Sequence, residues 1–206
     1  MSIRIKICGI TQYDDAKTAI SLGVDALGFV FYPGSPRNIA PAAVREIISR
    51  LPAMVNKVGV FVDESYETIM RIASQSGIDT VQLHGNEPPE LCGRLPYTTI
   101  KAFGVQSGFD PLILARYPAQ SFLLDTWKAG FAGGTGEKFD WSIALSAVQV
   151  NPHIILAGGL GPSNILEALD FVRPYGVDLN SGVEIRPGLK NPYKMKDAVA
   201  LIRAFK

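Results

Sequence analysis

Cys8 and Asp125 each close an apolar run, Ile3-Arg-Ile-Lys-Ile in one case and Phe122-Leu-Leu in the other. A thiol so placed is either a small buried hydrophobe, the usual fate of a free cysteine, or a thiolate base tuned by its neighbours. A carboxyl group so placed either bonds turn amides or donates a proton at neutral pH. Arg37 ends the proline-stiffened segment Tyr32-Pro-Gly-Ser-Pro-Arg, and its guanidinium fork suits bidentate recognition of a carboxylate. A solvated surface arginine is the plainer alternative. His84 reads as a hydrogen-bonded residue or a proton carrier, whereas Lys101 and Asp63 are expected to pair with each other.

Two glycine-bearing turns add a second kind of chemistry. Ile155-Leu-Ala-Gly-Gly-Leu-Gly-Pro and Val177-Asp-Leu-Asn-Ser-Gly-Val-Glu each read as a strand, a tight turn and a helical start. Such turns present backbone amides to a phosphate, although glycine also serves any turn that needs positive φ. Gly158-Gly159 in the first turn and the run Asp178-Leu-Asn-Ser-Gly in the second are where that contact could be made. There is no lysine-bearing phosphate loop of the nucleoside triphosphate type. The two histidines, His84 and His153, stand in no zinc spacing, so no metal is expected. The set describes a small phosphorylated substrate, an acid, a candidate thiol base and an arginine for an anionic group. That is proton transfer with no cofactor.

The elements that must position these groups alternate along the whole chain. Short β-branched runs fall at residues 3–7, 26–31, 57–62, 80–83, 99–103, 121–125, 153–157 and 176–179, with helical spacing between them. Strands alternating with helices imply a parallel sheet, and about 26 residues per unit lies near the lower size limit of a (β/α)8 barrel. The expectation is an α/β fold, one TIM barrel domain over residues 1–206. Thr11 or Asp14 is expected to open the first helix, Pro41 to sit in a first turn, and Ser163 to cap the helix before Ile165. Prolines weaken the fourth and fifth helices, and residues 128–138 form a long glycine-rich loop. A doubly wound sheet would carry a Gly-x-Gly-x-x-Gly turn after the first strand, where this chain has Cys8-Gly-Ile-Thr-Gln.

In a barrel the strand carboxyl ends build the site, and Cys8, Arg37, Asp63, His84, Lys101, Asp125, Gly158-Gly159 and Asp178-Leu-Asn-Ser-Gly fall at such ends. Composition narrows the partners. A net charge of +1 gives no basic excess for nucleic acid, and no apolar run of about 18 residues would span a membrane. Two cysteines make no disulfide framework, and the opening has no secretory apolar region, so a cytoplasmic protein is expected. A monomer is expected, with a dimer left open.

Lys6-Ile-Cys-Gly-Ile-Thr, Gly28-Phe-Val-Phe with Ser35-Pro-Arg, Val58-Gly-Val-Phe and Val81-Gln-Leu-His-Gly resemble segments of the phosphoribosylanthranilate isomerases of tryptophan biosynthesis. So do Leu123-Leu-Asp-Thr, Gly133-Gly-Thr-Gly with Phe139-Asp-Trp, Leu156-Ala-Gly-Gly-Leu, Ser181-Gly-Val-Glu and Pro187-Gly-Leu-Lys, in the family's order. The resemblance implies an Amadori rearrangement in which Asp125 is the general acid and Cys8 the general base. It also implies Arg37 on the anthranilate carboxylate, Asp178 on a sugar hydroxyl, and Gly158, Gly159, Asn180 and Ser181 around the phosphate. His84 joins the substrate contacts with its role open. Asn180 stands where the family commonly has Ser, and Asn191, where it usually has Asp, is expected to cap the last helix. The competing readings are another phosphosugar-handling barrel enzyme and a non-catalytic phosphometabolite-binding barrel. A metal-dependent epimerase would want acid pairs and histidines, and pure binding would not need both Cys8 and Asp125.

Overall fold

The computed structural model describes residues 2–126 and 140–206. The glycine-rich loop and the Gly133-Gly-Thr-Gly motif lie outside the described residues. Eight parallel strands close in sequence order into a barrel: β1 (Arg4–Ile7), β2 (Ala26–Val30), β3 (Asn56–Phe61), β4 (Thr80–Leu83), β5 (Thr98–Val105), β6 (Ser121–Thr126), β7 (Ile154–Leu156) and β8 (Gly176–Leu179). Closure is the β1–β8 ladder, where Lys6 lies opposite Asp178 and Ile7 opposite Leu179. The expected strand runs all fall on these strands, with ends differing by at most two residues.

A closed barrel buries both faces of each strand, so period-two alternation here separates two cores. On β1, Ile5 and Ile7 pack in the large cluster that also holds buried helical residues such as Ala16, Val44, Ile69 and Ile202. On other strands Val58, Ile100, Ala102, Leu123, Ile155 and Ala157 form a separate inner cluster. Above it, towards the carboxyl ends, Cys8 packs with Val30 and Val60. Each fully buried aliphatic side chain contributes roughly 1.5–3 kcal/mol.

The helices are α1 (Tyr13–Ser21), α2 (Pro41–Ser49), α3 (Tyr66–Ser76), α4 (Pro89–Arg94), α5 (Trp141–Val150), α6 (Ile165–Val172) and α7 (Pro192–Ala204). Their starts follow local chemistry. Pro41 occupies the first turn of α2, where its missing N–H costs nothing. Ser65 accepts from the Thr68 amide at the head of α3, and Asn191 accepts from Tyr193 and Lys194 at the head of α7. Two expected caps are corrected. Helix α1 follows Gln12, which makes no side-chain cap, because Thr11 donates its hydroxyl to the Gly188 carbonyl and Asp14 is already helical. Helix α6 follows Asn164 rather than Ser163, and the Asn164 side chain turns back to the glycine turn. The proline-crowded units are short as expected. Helix α4 has 6 residues, and the fifth unit carries a 3-10 helix over Pro111–Arg116 in place of an α-helix.

After β8 the chain makes a 3-10 turn over Ser181–Val183 and a hairpin of Glu184–Arg186 with Leu189–Lys190 before entering α7. That hairpin returns Glu184 and Lys190 to the carboxyl-end rim. No helix among the described residues is long and apolar enough to cross a membrane.

Candidate active site

A cavity of about 190 Å³ opens at the carboxyl ends of the strands. Cys8, Arg37, His84, Asp125, Gly158, Gly159, Asp178, Asn180 and Ser181 all line it, so the structure brings every candidate site residue together. They come from six separate strand ends, which the barrel alone makes neighbours.

Asp125 ends β6 with its Oδ1 accepting from the Thr126 amide at 2.8 Å. Its Oδ2 lies 3.6 Å from His84 Nε2. On the other side of that ring the Gln82 amide nitrogen lies 2.9 Å from His84 Nδ1. The Gln82 amide and the Asp125 carboxylate thus hold the His84 ring from its two nitrogens. Gln82, on β4 and 1% exposed, was not read as a site residue from sequence.

Cys8 is buried against Val30 and Val60, and its place depends on Gly28 across the β1–β2 pair. A Cβ on Gly28 would lie 2.7 Å from Cys8 Sγ. Burial pushes the thiol pKa up, the Lys6 ammonium pulls it down, Asp178 pushes it up again and Lys190 pulls it down, with the balance upward. Lys6 Nζ donates to Asp178 Oδ2 at 2.7 Å, with both side chains buried. Burial works against the Lys6 charge, yet Asp178 and Cys8 outweigh it, and Lys6 is held above its ordinary pKa.

Arg37 is buried, not solvated, and its fork is partly engaged. Nε lies 3.0 and 3.2 Å from the two Glu184 oxygens, and Nη2 lies 2.7 Å from Oε2. Lys190 Nζ donates to Glu184 at 2.9 Å and to Asn180 Oδ1 at 2.9 Å. One carboxylate therefore braces the arginine and ties it to the turn after β8.

The turns after β7 and β8 meet glycine to glycine. A Cβ on Gly161 would lie 2.7 Å from the Gly182 carbonyl oxygen, while Gly158 and Gly159 take φ of +90° and +65°. Asn164 fastens the first turn by accepting from the Gly161 amide at 2.9 Å and donating to the Gly159 carbonyl at 3.1 Å. Three buried oxygens around the cavity, Gln82 Oε1, Asp178 Oδ1 and Ser181 Oγ, have no hydrogen-bond partner among the described residues. Buried polar atoms are normally satisfied, so these three mark where a polar ligand would bond.

The expected Lys101–Asp63 pair is corrected. Lys101 Nζ donates to Glu87 Oε2 at 2.8 Å and to the Gly85 carbonyl at 2.6 Å, because the turn after β4 carries Glu87 back over β5. Asp63 instead accepts from the Asn86 amide at 2.6 Å. Neither residue lines the cavity; together they shape the turn that follows His84. Among the described residues no group of three His, Cys, Asp or Glu side chains is placed to hold a metal ion.

Fold and rim together define a (β/α)8 barrel enzyme with its chemistry at the strand carboxyl ends. A family model described as N-(5'phosphoribosyl)anthranilate (PRA) isomerase matches residues 5–200, and the chain belongs to that family. An N-(5'-phosphoribosyl)anthranilate isomerase of Desulforudis audaxviator is 49% identical over 97% of this chain and 97% of its own length. The crystal structure of phosphoribosyl anthranilate isomerase from Thermus thermophilus aligns with a TM-score of 0.90 at 43% identity, covering 97% of this chain and 98% of that one. A phosphoribosyl anthranilate isomerase in complex with reduced 1-(o-carboxyphenylamino)-1-deoxyribulose 5-phosphate aligns with a TM-score of 0.88 at 41% identity. It covers 98% of this chain and 100% of that one.

Proposed function

We propose that this cavity converts N-(5-phosphoribosyl)anthranilate to 1-(2-carboxyphenylamino)-1-deoxyribulose 5-phosphate, with residues 1–206 working as one barrel. Asp125 protonates the ribose ring oxygen, and the ring opens to a protonated imine. Cys8 then removes the proton from C2, made acidic by the cationic nitrogen, and the enolamine tautomerises to the ketone. The same cation beside Cys8 favours the thiolate over the thiol, offsetting the burial that holds the free protein's thiol up. His84, hydrogen-bonded by Gln82 on one edge, faces Asp125 with the other and orients the acid. Arg37, braced by Glu184, takes the anthranilate carboxylate. Asp178 Oδ1 accepts from a sugar hydroxyl, and the turns at Gly158–Gly159 and Asn180–Ser181 hold the phosphate.

The observation that carries this reading is that a thiol, a carboxyl group and a braced arginine line one cavity with three unpartnered buried oxygens around it. A family relative's complex with a reduced form of the product supports the same substrate class. The test is a fluorescence assay on freshly generated phosphoribosylanthranilate, with no cofactor added, comparing the wild type with Asp125→Asn and Cys8→Ser. Each variant is expected to lose roughly 10²–10⁴-fold in turnover while still binding the product. Wild-type protein that binds a phosphosugar saturably but leaves the fluorescence unchanged would overturn the isomerase reading.

A further inference from the structure

The inner wall of the barrel is aliphatic at Val58, Ile100, Leu123 and Ile155, yet at the seam between first and last strands it carries an ion pair. Lys6 and Asp178 are opposite one another in the β1–β8 register, at 4% and 7% side-chain exposure. The seam does not need them: the backbone ladder from Arg4–Ile7 to Gly176–Leu179 already joins the strands. A buried pair of charges adds little to stability after desolvation, and aliphatic side chains of similar volume often serve a core as well or better. The pair therefore calls for a role other than packing.

Its neighbour supplies one. Lys6 lies on β1 and Cys8 directly follows its end, two residues on, so the two side chains share the inward face, with the ammonium hydrogen-bonded to Asp178 and its charge acting on the thiol. We propose that Lys6 is the positioning residue of the thiol base, an ammonium held under the Cys8 sulfur by Asp178 so that the thiolate forms beside a fixed positive charge. The charged groups around the sulfur are Lys6 on its own strand, Asp178 on β8 and Lys190 on the hairpin; β2 brings only Gly28 and Val30. Asp178 uses Oδ2 for Lys6, its Oδ1 is buried without a partner among the described residues, and the residue lines the cavity, so one carboxylate fixes the cation at the edge of the site. This inference rests on Cys8 being the base.

The test is alkylation of Cys8 by iodoacetamide in the full, ligand-free chain, from about pH 6 to about pH 10, read at the Cys8 peptide so that Cys92 does not interfere. Lys6→Met is expected to slow alkylation near neutral pH roughly tenfold or more, as one pKa unit corresponds to a tenfold change in thiolate. Asp178→Asn, which leaves the cation unopposed, is expected to speed it. The double variant Lys6→Met/Asp178→Asn removes both charges; there the rate still falls, because the pull of Lys6 exceeds the push of Asp178, but it falls less than in Lys6→Met, because that push is gone too. Should Lys6→Met fail to fold, the double variant carries the comparison. Unshifted alkylation profiles in Lys6→Met and the double variant, or slower alkylation in Asp178→Asn, overturn the proposal. The two readings separate through Cys8→Ala. If that variant turns over normally, both fall; if it is inactive while the Lys6 variants leave the alkylation profile unmoved, only the role of Lys6 falls.

Discussion

Replacing Glu184 by Gln keeps the size of the side chain and removes the carboxylate that Arg37 and Lys190 share. That carboxylate accepts from Arg37 at 3.0, 3.2 and 2.7 Å, from Lys190 at 2.9 Å and from the Gly188 amide at 3.2 Å. An amide offers one acceptor oxygen, so it can serve one cation and must turn N–H groups towards the other. Two buried cations are left without a counter-charge, and breaking a buried pair in this way costs roughly 3–5 kcal/mol. In a chain of this size that lowers Tm by about 6–20 °C. The loss depends on pH with a definite sign. Burial acts to raise the Glu184 pKa, but Arg37 and Lys190 outweigh it and hold the carboxyl below its ordinary 4.5. A folded pKa below the unfolded one means the stabilisation is complete above pH 4.5 and is lost as the pH falls through the folded value. The gap between wild type and Glu184→Gln is therefore full at neutral pH and closes in acid. Adding Lys190→Met removes the surplus cation and is expected to recover much of the loss. Catalytically, an unbraced Arg37 raises KM about tenfold or more, equivalent to about 1.4 kcal/mol, with a smaller effect on kcat. Thermal melting at neutral and acid pH and steady-state kinetics read both effects. Unchanged Tm and KM in Glu184→Gln would refute the brace.

Two further perturbations test other parts of the scaffold. Gly28→Ala puts a Cβ 2.7 Å from Cys8 Sγ and 3.1 Å from Cys8 Cα, so the thiol must shift. A loss of about 1–3 kcal/mol in denaturant unfolding is expected. A fall in kcat of about tenfold or more should accompany it, and an unchanged kcat would show that the thiol's placement is not critical. Asp25, beneath the barrel, accepts from Arg4 at 2.7 Å, Arg203 at 3.1 Å and the Ile5 amide at 2.9 Å. Burial acts to raise its pKa, but these partners hold it below 3.8. Asp25→Asn should therefore melt earlier than wild type at neutral pH, with the difference disappearing as the pH falls below 3.8; a difference that grows in acid would contradict the pairing.

The strand positions were readable because each β-branched run is bounded by turn residues, and residues 80–83 and 176–179 match β4 and β8 end to end. The rim residues were readable for the same reason: in a barrel a polar residue closing an apolar strand has only one place to go. What the sequence concealed is which charges meet. Lys6 alternates with isoleucines as a surface lysine would, and only closure makes its side of the strand an interior. Glu184 and Lys190 sit on a short hairpin whose return to Arg37 no local pattern reveals, and Glu87 takes Lys101 from Asp63 across a turn. Asn164 was passed over for Ser163 because a hydroxyl before a helical run reads as a cap. Its amide, which can both donate and accept, holds the glycine turn instead.

The seam of the barrel also sets when the molecule becomes competent. Lys6 and Asp178 are 172 positions apart in the chain, and Arg37 and Glu184 are 147 apart. Contacts of such separation form late, after most of the loop-closure entropy has been overcome. During synthesis Cys8 is exposed long before its ammonium partner has a carboxylate to hold it, and Arg37 waits as long for its brace. A chain stalled after the seventh strand would have an open barrel and neither of these pairs. Both pairs need the eighth strand and the hairpin after it, so a chain that lacks them is expected to be silent however much of its secondary structure has formed.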